Sequence, residues 1–221
     1  MCGRFTLTSD PATLHAEFGI EAPADYRARY NIAPTQPVLA VVADRSGDWH
    51  AATLSWGLVP HWSKDRREAA RRINARAESL QEKPAFRDSF RTRRCLIPAD
   101  GFYEWEKAGR HSRPMLIRRQ DGRPFAFAGL WARWLEQPGQ PLYSCTIVTT
   151  EPTPSLAHIH DRMPVILDAR ARSIWLDRSS DVETLQPLLR PAEQEPLEWH
   201  PVSTLVNSAD NDLPECIQPL T

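Results

Sequence analysis

Residues 94–107 read "RCLIPADGFYEWEK". Two apolar, strand-like runs flank Asp100-Gly101, a dipeptide suited to a tight turn. The stretch therefore predicts strand, turn, strand. Downstream, "PMLIRRQDGRPFAFAGLW" (114–131) repeats the pattern around Asp121-Gly122, and "YSCTIVTTEP" (143–152) is a β-branched strand. Upstream, "GRFTL" (3–7) reads as a short strand and "PVLAVVA" (37–43) as a buried one. "WHAATLSWGLVP" (49–60) alternates well enough to be the antiparallel neighbour of 37–43, and "LEWHPVS" (197–203) is a last strand. Helices are fewer. "SDPATLHAEFG" (9–19) offers Ser9 or Asp10 as cap, Pro11 in the first turn and Gly19 as stop. "DRREAARRINARAESL" (65–80) carries helix formers, at least in its first half, and "PAFRDSF" (84–90) reads as a short helix. "SLAHIHDRMPVIL" (155–167) runs from a short helix or loop into a strand; "DARARSIWLD" (168–177) and "DVETLQPLLR" (181–190) read as surface helices. Strands dominate, and no strand–glycine loop–helix alternation suggests a dinucleotide fold. The expected class is α+β: a curled, mostly antiparallel, barrel-like sheet with surrounding helices, in one domain over residues 1–221.

The composition is that of an ordinary globular chain: 41% hydrophobic and 25% charged residues. A net charge of -1 neither supports nor excludes a nucleic-acid partner, because local patches matter more than the sum. No apolar run is long enough to cross a bilayer, and "MCGRFTLTSD" turns polar at once, unlike a signal peptide. The expectation is a cytoplasmic protein, nucleoid-associated if bacterial, with no membrane contact. The four cysteines, Cys2, Cys95, Cys145 and Cys216, are far apart and form no C-x-x-C pair. Neither a disulfide framework nor a zinc site is expected. Cys95 and Cys145 lie in apolar strand runs and read as buried small hydrophobes. Cys216 carries no signal.

Cys2 is different in kind. Removal of Met1, which aminopeptidases perform when the second residue is small, would leave a 1,2-aminothiol. An α-amine titrates at about 7.7–8.0, so roughly a tenth is unprotonated near neutrality. Such an amine attacks an aldehyde to give a Schiff base, and the adjacent thiol can close a five-membered thiazolidine. The second attack is intramolecular and so has a high effective concentration. Taken alone, a second-position cysteine is more simply incidental.

Three other places are irregular. In "INARAES" (73–79), Asn74 and Arg76 follow a run with Arg66, Arg67, Arg71 and Arg72; by itself this reads as a solvated helix face ending at Asn74. The arginines of 64–94, with Trp62, Phe86 and Phe90 in or beside them, also suit a single-stranded nucleic-acid track. Glu104 sits between Tyr103 and Trp105, where its pKa could be raised for acid–base work, or it is an outward residue on an alternating strand. His158 and His160 lack a third ligand for a metal, so one histidine acting beside Asp161 and Arg162 is the more economical reading.

Nine segments occur in order: "MCGRF", "RYNIAPTQ", "WGLVPHW", "INARAES", "CLIPADGFYEW", "AGLW", "TIVTTEP", "HDRMPVIL" and "VSTLVN". Together they resemble the SOS-response-associated peptidase (SRAP) family, sensors of abasic sites in single-stranded DNA, over nearly the whole chain to Asn207. The resemblance implies a covalent DNA–protein crosslink, with Cys2, Asn74, Glu104 and His160 as catalytic residues. It implies DNA contacts by Arg4, Arg76 and Arg162, and also by Pro34, Trp62, Trp105 and Thr149. No cofactor or metal is implied. The partner would be single-stranded DNA with abasic sites, bound by a monomer, with strand cleavage through the Schiff base as a side activity. The rival reading is an N-terminal-nucleophile hydrolase, amidotransferase-like or autoproteolytic toward Met1, in which the Cys2 thiol attacks an amide. A single-strand binding module with an inert Cys2 is a further alternative.

Overall fold

The computed structural model describes residues 2–109, 111–137, 139–192 and 196–220. The strands in chain order are β1 (Arg4–Leu7), β2 (Arg29–Ile32), β3 (Pro37–Ala43), β4 (Trp49–Trp56), β5 (Asn74–Arg76), β6 (Arg94–Ala99) and β7 (Gly101–Ala108). They continue with β8 (His111–Arg119), β9 (Phe125–Gln137), β10 (Gln140–Thr150), β11 (Met163–Pro164), β12 (Ile166–Leu167) and β13 (Leu197–Pro201). Strands β10, β4, β3, β6 and β9 pair in a ring, because β9 returns to β10. The barrel is mixed: β10 runs parallel to β4 and antiparallel to β9. A second, antiparallel sheet has the order β13-β8-β7-β1-β2. The fold is thus α+β with a closed five-stranded barrel, a packed antiparallel sheet and short helices.

The opening stretch works differently from a hairpin. Both strands form, but β6 pairs with β3 and β9 in the barrel, while β7 pairs with β1 and β8 in the sheet. Asp100 is where the chain changes sheets. Its carboxylate accepts hydrogen bonds from the Thr8 and Ser9 backbone and hydroxyls, which fastens the end of β1 to the corner. Gly101 is required by close approach: a Cβ there would lie 3.0 Å from both the Ile117 carbonyl oxygen and Leu116 Cδ1. Aromatic rings fill the join between the layers. Phe5 of the sheet packs edge-on against Trp56 and Phe127 of the barrel, at centroid distances of 5.2 and 5.8 Å.

The helix expected from the helix formers of 65–80, ending at Asn74, forms only as a tighter, shorter turn of chain. Arg66–Arg71 is a 3-10 helix, Asn74–Arg76 is strand β5, and Ala77–Ser79 is another 3-10 turn. The open edge of β10 outweighs local propensity: β5 adds to it in parallel, with Asn74 opposite Ile147 and Arg76 opposite Thr149. Ala75 is then buried, and Arg76 faces solvent. Helices α1 (Pro11–Phe18), α2 (Pro84–Thr92), α3 (Ala169–Leu176) and α4 (Val182–Leu185) fall where predicted. Asp10 is the cap of α1 and accepts from the Thr13 amide at 2.8 Å. Helix α3 is less superficial than expected, since it buries Arg172, Trp175 and Leu176.

Candidate active site

The segment that leads into β1, which pairs with β7 of the sheet, also touches the barrel's strand β5 and so forms the seam between the two layers. Cys2 lies in that seam and is fully buried. Asn74, from β5, donates its Nδ2–H to the Cys2 carbonyl oxygen at 2.8 Å. The thiol contacts the Arg4 carbonyl oxygen at 3.9 Å. Burial, and after it the nearby Glu104 charge, pushes the thiol pKa far up, so the sulfur is held protonated.

Glu104 enters from β7, opposite Met115, and is 3% exposed. Burial raises its pKa to about 7, and Asp161 adds to the rise. His160 comes from the turn between β10 and β11. Its Nε2 lies 3.9 Å from Glu104 Oε2, longer than a hydrogen bond. The other ring nitrogen has two neighbours with opposite demands. Nδ1 accepts the Arg162 amide proton at 3.0 Å, yet Asp161 Oδ1 is 2.9 Å away and would need a proton on Nδ1. Burial lowers the His160 pKa and outweighs the opposing Asp161 charge, which is almost fully solvated. The neutral ring is favoured, with Nδ1 accepting and its proton on Nε2, toward Glu104.

The structure therefore brings Cys2, Asn74, Glu104 and His160 into one seam. Thr149, fully buried on β10 opposite Arg76, adjoins it, and its carbonyl oxygen accepts from Arg162 Nη2 at 2.6 Å. Among the described residues, Asn74 Oδ1, Thr149 Oγ1 and Arg162 Nε are buried without a hydrogen-bond partner. Arg4 is otherwise engaged: its guanidinium donates to Asn31 Oδ1 and to the Val206 and Asn207 carbonyls. Trp105 is half-buried and donates its indole N–H to Asn207 Oδ1 at 2.8 Å. Pro34 and Trp62 lie on separate loops, after β2 and β4. Trp62 is 49% exposed with the Arg72 guanidinium 5.8 Å from its ring centre. A surface depression of about 530 Å³ near α3, lined in part by Ile166, Ala171 and Leu188, holds none of these residues.

His158 and His160 do not act as a pair: His158 approaches Glu106 at 4.0 Å, and His160 approaches Glu104. Among the described residues no three His, Cys, Asp or Glu side chains are grouped to hold a metal ion. Two participants escaped the sequence reading. Glu78 ion-pairs with Arg162, and Asn207 orients Trp105. Both lie inside the quoted segments "INARAES" and "VSTLVN", but their partners are 84 and 102 residues away.

The model of the SOS response associated peptidase (SRAP) family matches residues 1–209. The chain belongs to the SRAP family. Similar SRAP-type relatives include the abasic site processing protein YoqW of Bacillus subtilis, 44% identical over 99% of each chain. YedK of Escherichia coli, also named an abasic site processing protein, is 32% identical over 100% of each. The abasic site processing protein HMCES of Gallus gallus is 35% identical over 88% of this chain and 67% of its own length. A solved structure of a Bacteroides thetaiotaomicron protein shares the fold, with a TM-score of 0.88 and 23% identity over the whole of both chains. No described helix of this SRAP chain is long and apolar enough to cross a membrane.

Proposed function

We propose that this chain processes abasic sites in DNA and does so by capturing them, in single strands, as a thiazolidine on Cys2. The observation that carries the reading is the convergence of an amide, a carboxyl and an imidazole on Cys2: Asn74 on its carbonyl, and the Glu104–His160 pair in the same seam. The relatives' names supply the substrate class.

Met1, whose removal the scheme requires, lies outside the described residues. Once it is gone, the reaction runs as follows. The abasic sugar is a closed hemiacetal. Glu104, protonated to a useful extent near neutrality, assists transfer of a proton to the ring oxygen, and C1′ opens to an aldehyde. The Cys2 amine attacks C1′, with Asn74 fixing the backbone that carries it. The resulting carbinolamine loses water to form an iminium, and His160 relays the protons. Cys2 Sγ then adds to C1′ and gives up its proton, closing the ring. Aldehyde and aminothiol become thiazolidine and one water. A thiol held protonated by burial is a poor first nucleophile, so the order amine then sulfur fits the seam better than the hydrolase order. Arginines on phosphates would give affinity without sequence preference, and Trp62 and Trp105 would stack on unpaired bases.

Intact-mass spectrometry before and after adding an abasic single-stranded oligonucleotide tests the proposal. The expected result is a chain lacking Met1 that gains the oligonucleotide mass minus one water, stable without borohydride. An unchanged protein mass, or an adduct that needs reduction to survive, would sink it.

A further inference from the structure

Arg162 is read as a phosphate contact, yet its guanidinium is already occupied. Nη1 and Nη2 donate to Glu78 Oε1 and Oε2 at 2.6 and 3.0 Å. This is the bidentate fork, which suits carboxylate and phosphate equally. Nη2 also donates to the Thr149 carbonyl, so one side of the group is anchored to β10. Glu78 stands in the 3-10 turn Ala77–Ser79, just past β5, and is more than half exposed, whereas Arg162 is 13% exposed. The pair can thus be approached by a large anion from the Glu78 side. Arg76, exposed and two residues before Glu78, is a second cation read as a phosphate contact. Its charge adds to the effect of Arg162 in holding the Glu78 carboxyl below the usual range. One carboxylate therefore pairs with Arg162 and feels the charge of Arg76, the two arginines that a strand would need.

We propose that Glu78 is a built-in competitor for DNA phosphate: it occupies the Arg162 fork in the free protein and surrenders it when a strand seats. The inference rests on the DNA reading above and deepens it. Every strand must break the same ion pair, which costs affinity. A strand with an abasic site offsets that cost by bonding to Cys2; an intact strand has nothing to offset it. Glu78 thereby keeps the seam from idling on undamaged DNA. It acts through Arg162 and touches no reacting atom.

The test is E78Q, which keeps the shape and removes the charge. Binding of an intact single-stranded oligonucleotide is followed by fluorescence anisotropy over a salt series. E78Q is expected to bind about threefold to tenfold tighter across the series, because no ion pair has to be broken before Arg162 meets the phosphate. In an R162Q background the gain should disappear. A gain that persists with R162Q means only a general charge effect and overturns the proposal. Weaker binding by E78Q also overturns it, since Glu78 would then be holding Arg162 in place for phosphate. If the wild-type chain crosslinks abasic DNA but E78Q binds as wild type does, this inference alone falls. If the wild type neither binds nor crosslinks, the DNA reading falls with it.

Discussion

Among the fully buried cysteines, the two in the barrel wall and the one in the seam keep different company. Cys95 and Cys145 lie in the barrel wall; Cys2 lies in the seam between barrel and sheet. Burial drives all three thiol pKa values up. What differs is the company. Cys95 packs beside Gly129 and Ile97, and its carbonyl takes the Trp175 indole proton at 3.0 Å. Cys2 has an amide on its carbonyl and a buried carboxyl close enough to bias its thiol. The seam also holds Asn74 Oδ1, Thr149 Oγ1 and Arg162 Nε, which have no partner among the described residues, and each such atom costs about 1–3 kcal/mol in an uncomplexed fold. Burial alone does not mark a reactive cysteine. The polar groups around the thiol are what distinguish the two settings.

The sharpest way to break this contrast is to exchange the cysteines one at a time. C2A is expected to abolish the covalent band with abasic single-stranded DNA on a denaturing gel, while C95A and C145A crosslink as the wild type does. A surviving band in C2A would mean the seam has been misread. E104Q comes next. Crosslinking should slow by about a hundredfold, the ordinary loss for an acid–base group. Stability should move the other way. An unfolded glutamate titrates near 4.3, as a general value, and the folded one at about 7. Between those values the native state keeps a proton that the unfolded state has released. The stability this contributes is full below about pH 4.3 and is lost as pH rises through about 7. Ionised Glu104 then costs on the order of 3 kcal/mol at pH 8, and the glutamine variant avoids it. Thermal melting should show E104Q above wild type at pH 8 and level with it near pH 4. Equal melting at both values would remove the claim that Glu104 is strained by burial.

The barrel was far more legible from sequence than the seam. "PVLAVVA" and its partner 49–56 form a ladder in the predicted antiparallel pairing, because a run of buried β-branched residues next to an alternating one leaves little choice. Helix α1 ends where Asp10 and Gly19 put it. By contrast, residues 94–107 have the local pattern of a hairpin, and nothing local reports that β6 and β7 join different sheets. That depends on β1 and β9, which are distant in sequence. Asn74 was recognisable as a site residue through its resemblance to a family motif, but its strand exists only because β10 offers an open edge. The Glu78–Arg162 pair and the Asn207–Trp105 hydrogen bond are likewise products of folding. Seams between layers are assembled from non-local pairings, so periodicity says little about them.

The barrel side of the comparison can be stressed directly at Gly129. A Cβ there would sit 2.8 Å from Cys95 Sγ and 3.1 Å from Ile97 Cδ1. G129A is expected to destabilise the fold by about 1–3 kcal/mol through overpacking. The double variant G129A/C95A should recover part of that loss, because the sulfur is the nearest obstacle. Denaturant midpoints measure both. Crosslinking per folded molecule should be unchanged in each, and a drop in either would tie the barrel cysteine to the chemistry.

The smallest effect separates the regions most finely. Thr146 and Thr149 are fully buried on the same strand, and neither hydroxyl oxygen has a partner among the described residues. Valine replaces threonine at nearly the same volume and removes the unsatisfied group. In the free protein T146V and T149V should both be neutral or stabilising, by up to about 1 kcal/mol. Only Thr149 adjoins the seam, through Arg76 and Arg162. T149V should therefore also weaken capture of abasic DNA, whereas T146V should leave it unchanged. If both variants gain stability and neither alters capture, the unpartnered hydroxyl at 149 is a packing compromise like the one at 146. If T149V alone trades stability for capture, its hydroxyl is held empty for the strand.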